Sequence, residues 1–300
     1  MRVLVTNDDG VDSEGLHVLA QTLVASGYDV VIAAPDRDMS GSSAALGQIH
    51  VDEHIDAERV DLPGLDGVPA YAVDGPPGLC VLAGHLGAFG EPPSVVVSGI
   101  NPGANTGRAV LHSGTVGAAM TGASFGSRGL AVSLDVGAQI LHEQAVAGAT
   151  VPFDGSSPEG DGDASSEVST RVRKREAPAR WGTAATLAAA TVRWLAGARR
   201  GVVLNLNVPN LPFDEIAGVA PAALAPFGRV LLAVVEPAED SGRLLMELRP
   251  TTEELPPDSD TALVAEGFVA VSALSRVGLD ERVDLSELLR TVPVRGWGSA

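Results

Sequence analysis

Residues 1–15 read M-R-V-L-V-T-N-D-D-G-V-D-S-E-G, and no other stretch constrains the fold as strongly. Val3, Leu4 and Val5 form a short apolar run with no alternating polar face, the pattern of a strand covered on both sides. Asn7-Asp8-Asp9-Gly10 then turns the chain, because Gly10 accepts a positive φ and Asx side chains bond their own backbone. Ser13 can cap a following helix, whose apolar positions Leu16, Leu19, Ala20, Leu23 and Val24 recur at helical spacing. A strand, a tight turn and a helix in that order open a parallel α/β sheet. Such sheets hold ligands beyond the carboxyl ends of their strands. Asp8 and Asp9 stand at that end, where the turn lets two adjacent carboxylates face one cation.

The same order recurs downstream. Residues 29–34 read as a second strand ending at Pro35, followed by the loop Arg37-Asp38-Met39-Ser40-Gly41-Ser42-Ser43. Residues 44–74 are weakly patterned, with 48–51 and 70–73 as candidate antiparallel strands. Pro76 and Pro77 precede a helix through Leu86. Val95-Val96-Val97 is a buried strand that opens into a loop over 98–107. An alanine-rich helix from Ser113 to about Phe125, a strand at 130–134, a helix at 183–195 and a strand at 202–209 complete the pattern. We therefore expect one α/β domain over 1–300, Rossmann-like, its mostly parallel sheet flanked by helices with right-handed crossovers. Residues 151–178, rich in Gly, Ser, Asp, Glu and Pro before the basic run Arg171 to Arg175, read as a flexible surface insertion. Within 226–255, two apolar runs flank Glu239-Asp240-Ser241-Gly242. That is a hairpin arm whose open edges suit oligomerisation.

Composition narrows the function. The formal net charge of −18 leaves no basic face for nucleic acid or a membrane surface, and an anionic substrate would need a bound cation to offset it. Lysine occurs only at Lys174, so no G-K-[ST] phosphate loop exists. The single cysteine, Cys80, excludes an internal disulfide and a multi-cysteine zinc site, and fits a reducing compartment. No basic-plus-apolar leader precedes the first strand and no run is long enough to span a bilayer, so a cytoplasmic location is expected.

A hard divalent cation, Mg²⁺ or Mn²⁺, takes oxygen ligands and keeps positions open for water and phosphate. Successive strand ends offer Asp8 and Asp9, Ser40 and Asn101. Each is also an ordinary turn residue, and only their coincidence points to a metal. Leu111-His112-Ser113-Gly114-Thr115 opens a helix with small residues, which is a ready anion site, although plain capping by Ser113 accounts for it equally.

Taken together, V-L-V-T-N-D-D-G, A-P-D-R-D-x-S-G, V-S-G-I-N-x-G-x-N-x-G, H-S-G-T-V-G-A-A-M, N-L-N-V-P and the late D-S-D-T closely resemble the signature of the SurE family of nucleotidases. That resemblance implies a Rossmann-like domain with a hairpin used in dimer or tetramer formation. It also implies metal-dependent hydrolysis of nucleoside 5′- and 3′-monophosphates. It puts one divalent ion per subunit on Asp8, Asp9, Ser40 and Asn101, and phosphate on Asn101, Ser113, Gly114 and Thr115. Asp8 and Asp9 would carry the catalysis, with Asp8 the acid/base partner. Three departures stand out: Ser43-Ala44-Ala45 after the serine ligand, Gly75-Pro76-Pro77-Gly78-Leu79-Cys80 without the usual acid, and Thr121 in place of a glutamate. A catalytically idle nucleotide-binding module and a nucleotide-sugar transferase are the rival readings.

Overall fold

In a computed structural model of the chain, the described residues are 1–47, 54–136, 178–226, 230–237, 244–250 and 254–275. The candidate strand at 48–51, the insertion at 151–177 and the turn at 239–242 lie outside them. Among the described residues, eleven strands fall into two sheets. The larger has nine: β1 (Arg2–Thr6), β2 (Asp29–Pro35), β3 (Ala57–Arg59), β4 (Ala70–Val73), β5 (Val95–Pro102), β6 (Arg128–Asp135), β7 (Val203–Pro209), β8 (Gly218–Pro221) and β11 (Phe268–Leu274). Their order is β3-β4-β2-β1-β5-β6-β7-β11-β8. From β4 to β7 every pairing is parallel, while β3 against β4 and β11 against β7 are antiparallel. Residues 70–73 are therefore an internal strand, parallel to β2 and antiparallel to β3, and not half of a simple antiparallel pair. A separate antiparallel pair joins β9 (Val230–Pro237) to β10 (Leu244–Pro250).

Among the described residues the α-helices are α1 (Glu14–Ala25), α2 (Pro77–His85), α3 (Gly114–Ser124), α4 (Trp181–Gly197) and α5 (Asp260–Ala265). Alternation along β1 sorts them by face. Val3 and Val5 pack with Leu16, Leu19 and Leu23 of α1 and with Ala184, Ala188 and Val192 of α4. Leu4 points the other way, into a cluster with Cys80 and Val81 of α2 and Ala118 of α3. Val3, Leu4 and Val5 are fully buried, as a strand covered on both faces requires. Among the described residues no helix is long and apolar enough to cross a membrane.

Strand β5 runs further than its composition suggests. The residues expected to form a loop after Val97 stay paired with β6 through Pro102, by way of a bulge: Ser98 aligns with Ala131 and Asn101 with Ser133, so Gly99 and Ile100 together face the single residue Val132. The extra residue resets the alternation. Ile100 joins the α1/α4 core alongside Val95 and Val97. Asn101 consequently lies on the face of Ser98 and of helix α3. Gly99 makes this possible, since its φ is +137° and a Cβ there would collide with the carbonyl oxygen of Val132. Replacing Gly99 with Ala should cost about 1–3 kcal/mol of stability, read as a lower urea midpoint, because both the backbone conformation and the strand contact are lost. An unchanged midpoint would contradict the bulge.

Candidate active site

The end of β1 is locked from both sides. Asn7 donates its amide to the carbonyl of Gly10 at 3.0 Å and to Ser13 Oγ at 2.6 Å, closing the turn. Ser13 occupies the N-cap position of α1, but it makes no side-chain cap bond and instead accepts from Asn7. Two main-chain bonds, Val11 N–H to Pro35 O (2.8 Å) and Met39 N–H to Asp8 O (2.7 Å), tie this turn to the loop after β2. That contact brings the Asp38-Met39-Ser40 segment against the aspartates.

Asp8 is buried, and its Oδ1 accepts from the Thr115 hydroxyl at 2.6 Å. The main-chain N–H of Thr115 supports the same carboxylate. Gly114 is a glycine because nothing larger fits: a Cβ would lie 2.7 Å from both Asp8 Oδ2 and Ser42 Oγ. Ser113 caps α3 by accepting from Val116 N–H at 3.1 Å. The start of α3 is thus packed directly onto Asp8, and part of its donor capacity is directed at a carboxylate of this chain.

Burial pushes the Asp8 carboxyl up from its ordinary range, opposed by the bonds from Thr115. Asp9 is pushed up to about 7, first by burial and then by the charges of Asp8 and Asp38. Asp38 goes the other way, held low by the hydroxyl of Ser40 (2.6 Å) and its N–H (2.8 Å). The exposed Ser40 donates its only proton to Asp38, which leaves the lone pairs of its oxygen available. Asn101 is half-buried and gives its amide N–H to Gly103 O at 2.7 Å, which leaves its Oδ1 as an acceptor.

These residues fit a divalent cation. Asp9 Oδ2 and Ser42 Oγ are buried without a hydrogen-bond partner, and an unpaired buried carboxylate oxygen beside two other carboxylates calls for positive charge. Arg37 does not supply it, being engaged by Asp36 (2.8 Å) and Asp74 (2.7 Å). Among the described residues no three His, Cys, Asp or Glu side chains converge as a ligand set, so neutral oxygens such as those of Ser40 and Asn101 would have to complete it. Reading residues in order singled out Asp8, Asp9, Ser40 and Thr115 but missed Asp38 and Ser42. Both lie in the same loop as Ser40, and only the contact between the two loops reveals them.

The pattern described as Survival protein SurE matches residues 3–228. The chain belongs to the SurE family. Its relatives include proteins named 5′-nucleotidase SurE from Xanthomonas euvesicatoria pv. vesicatoria, 31% identical over 99% of this chain and 95% of the relative. Another, from Gloeobacter violaceus, is 34% identical over 91% of this chain and 89% of the relative. The fold resembles that in the crystal structure of the SurE protein from Aquifex aeolicus, with a TM-score of 0.67 at 23% identity, covering 97% and 98% of the two chains. Within this family framework, Thr121 turns its hydroxyl back to Gly117 O at 2.8 Å inside α3.

The raised acids set a pH dependence. In the metal-free protein the folded state keeps the Asp9 proton to about pH 7, whereas the unfolded chain releases it near the ordinary value of 3.8. The folded state then binds more protons, so stability falls as pH rises from about 4 to about 7. Asp9→Asn should flatten that fall and raise the stability of metal-free protein at pH 8, measured by thermal melts with chelator across the range. A melt that rises with pH over this window would contradict the burial.

Proposed function

We propose that this SurE-family chain is a metal-dependent phosphomonoesterase that hydrolyses nucleoside 5′-monophosphates, and 3′-monophosphates as a second substrate, to nucleoside and phosphate. The observation that carries this reading is the buried, unpartnered Asp9 Oδ2 beside Asp8 and Asp38 at the sheet's carboxyl edge. Asp8, Asp9, Ser40 and Asn101 would hold one Mg²⁺ or Mn²⁺. When bound, that ion supplies the charge that draws in a phosphate dianion and makes water a better nucleophile.

The chain's own residues then have distinct tasks. Thr115 fixes the orientation of Asp8 through its hydroxyl, so that the remaining oxygen of Asp8 presents a defined direction. Asp8, held by Thr115, is the group placed to accept or return a proton, while Asp9, raised to about 7 in the metal-free protein, would give its proton up on binding the cation. Gly114, at the start of α3, lies against Asp8, and it and the neighbouring Ser113 can contact phosphate oxygens that approach along the same edge.

Purified protein given Mn²⁺ or Mg²⁺ should release phosphate from a panel of nucleoside monophosphates, and EDTA should abolish it. Asp9→Ala should lower kcat by about 10²–10⁴-fold. Binding without phosphate release would favour an idle nucleotide-binding module, and transfer from a sugar nucleotide would favour the transferase.

We further propose a cytoplasmic homodimer or homotetramer assembled through the β9–β10 pair. Deleting residues 228–252 should then yield a monomer by light scattering, and an unchanged mass would reject the arm.

A further inference from the structure

The segment between Asn101 and α3 is held from the far half of the sheet. Asn207, fully buried on β7, accepts the main-chain N–H of Asn105 at 2.8 Å and donates to the carbonyl of the same residue at 3.0 Å. Its carboxamide thereby pairs with Asn105 as a neighbouring strand would. Asn205, also fully buried, donates to that carbonyl at 2.8 Å. The Asn105 side chain bonds Ser133 Oγ at 2.9 Å. Two residues on, the N–H of Gly107 is held at 2.8 Å by Asp260, a fully buried carboxylate. Asp260 also accepts from the N–H groups of Ala225 (3.0 Å) and Thr261 (2.8 Å), so its charge is satisfied entirely by donors of the chain.

These bonds converge on residues 105–107, which stand between the amide of Asn101 and the first turn of α3. Gly103 is fixed as well, by its N–H to Leu134 O at 2.8 Å. With both flanks pinned, Asn101 has little freedom to move.

We propose that Asn207, supported by Asn205 and Asp260, is a positioning residue for the cation: it presets the 101–107 segment so that the Asn101 oxygen stands ready to complete the ligand set. This rests on the metal reading above. Groups that touch no ion but orient those that do commonly alter metal affinity by about 10–100-fold when removed.

The test uses the full chain and manganese alone. Free Mn²⁺ is counted by electron paramagnetic resonance during titration of wild type, Asn207→Ala, Asn205→Ala and, as a distant loss of buried hydrogen bonding, Ser127→Ala. Ser127 donates to Pro93 O just before β6, at the amino end of the parallel strands and so opposite this segment. Asn207→Ala should raise the Mn²⁺ dissociation constant by about tenfold or more. Asn205→Ala, which keeps both Asn207 bonds, should raise it less. Ser127→Ala should lower the melting temperature without moving the constant. With a nucleoside monophosphate, the activity of Asn207→Ala should recover toward wild type at saturating Mn²⁺.

If Asn207→Ala does not fold, Asn205→Ala decides alone. Folded variants that bind Mn²⁺ as wild type does would overturn the proposal. A wild type that binds Mn²⁺ yet releases no phosphate would sink the nucleotidase reading and leave the positioning role standing, and a wild type that binds none would overturn both.

Discussion

The bond between the Thr115 hydroxyl and the Asp8 carboxylate joins the end of the first strand to the start of α3, and the site's geometry depends on it. A buried carboxylate is costly unless it is hydrogen-bonded, and here the donors come from a helix N-terminus, which also favours negative charge. Asp9 has no such relief. Its outer oxygen is buried and unpaired, and its neighbours Asp8 and Asp38 share its sign. The chain satisfies one acid and leaves the next one needing a cation. In a protein of net charge −18, with Arg37 committed to Asp36 and Asp74, that need is local and specific.

Much of this is legible residue by residue. Val3-Leu4-Val5, the Asx-Gly turn and the spacing of Leu16, Leu19 and Leu23 each report a local preference, and local preferences agree with the fold along β1, α1, β2 and α3. The end of β5 is not legible in that way. Ser98-Gly99-Ile100-Asn101-Pro102-Gly103 has turn composition, and a bulge breaks the alternation by which a strand is recognised. What keeps it in the sheet is pairing with β6, a contact that no local window contains. The strands β8 and β11 escape for a related reason: β8 is a short edge with Val219 exposed, and β11 finds its place only through its neighbours.

The site divides along the same line. Asp8, Asp9 and Ser40 stand out because strand ends in an open sheet are where ligands gather. Asp38 and Ser42 acquire their roles only when the loops after β1 and β2 touch. Asn207 reads as a buried strand residue, yet it grips Asn105 across 102 positions of chain. Family membership adds a name for the chemistry. The reason these oxygens can serve it lies in burial, charge and hydrogen bonding.

The bulge in β5 has a consequence of its own. Orientation of Asn101 is encoded in the backbone, through the bulge that Gly99 allows, and not in its own side chain. Conservative exchanges at Ile100 would leave it untouched, but a regular strand of the same length, in which Ser98 and Asn101 stood three steps apart without a bulge, would swing the carboxamide into the oily layer beneath α1 and α4 and bring its hydrophobic neighbour round to the polar edge. Drift in this region is therefore tolerant of apolar exchange at Ile100 and closed at Gly99, which lets the extra residue fold out of the alternation.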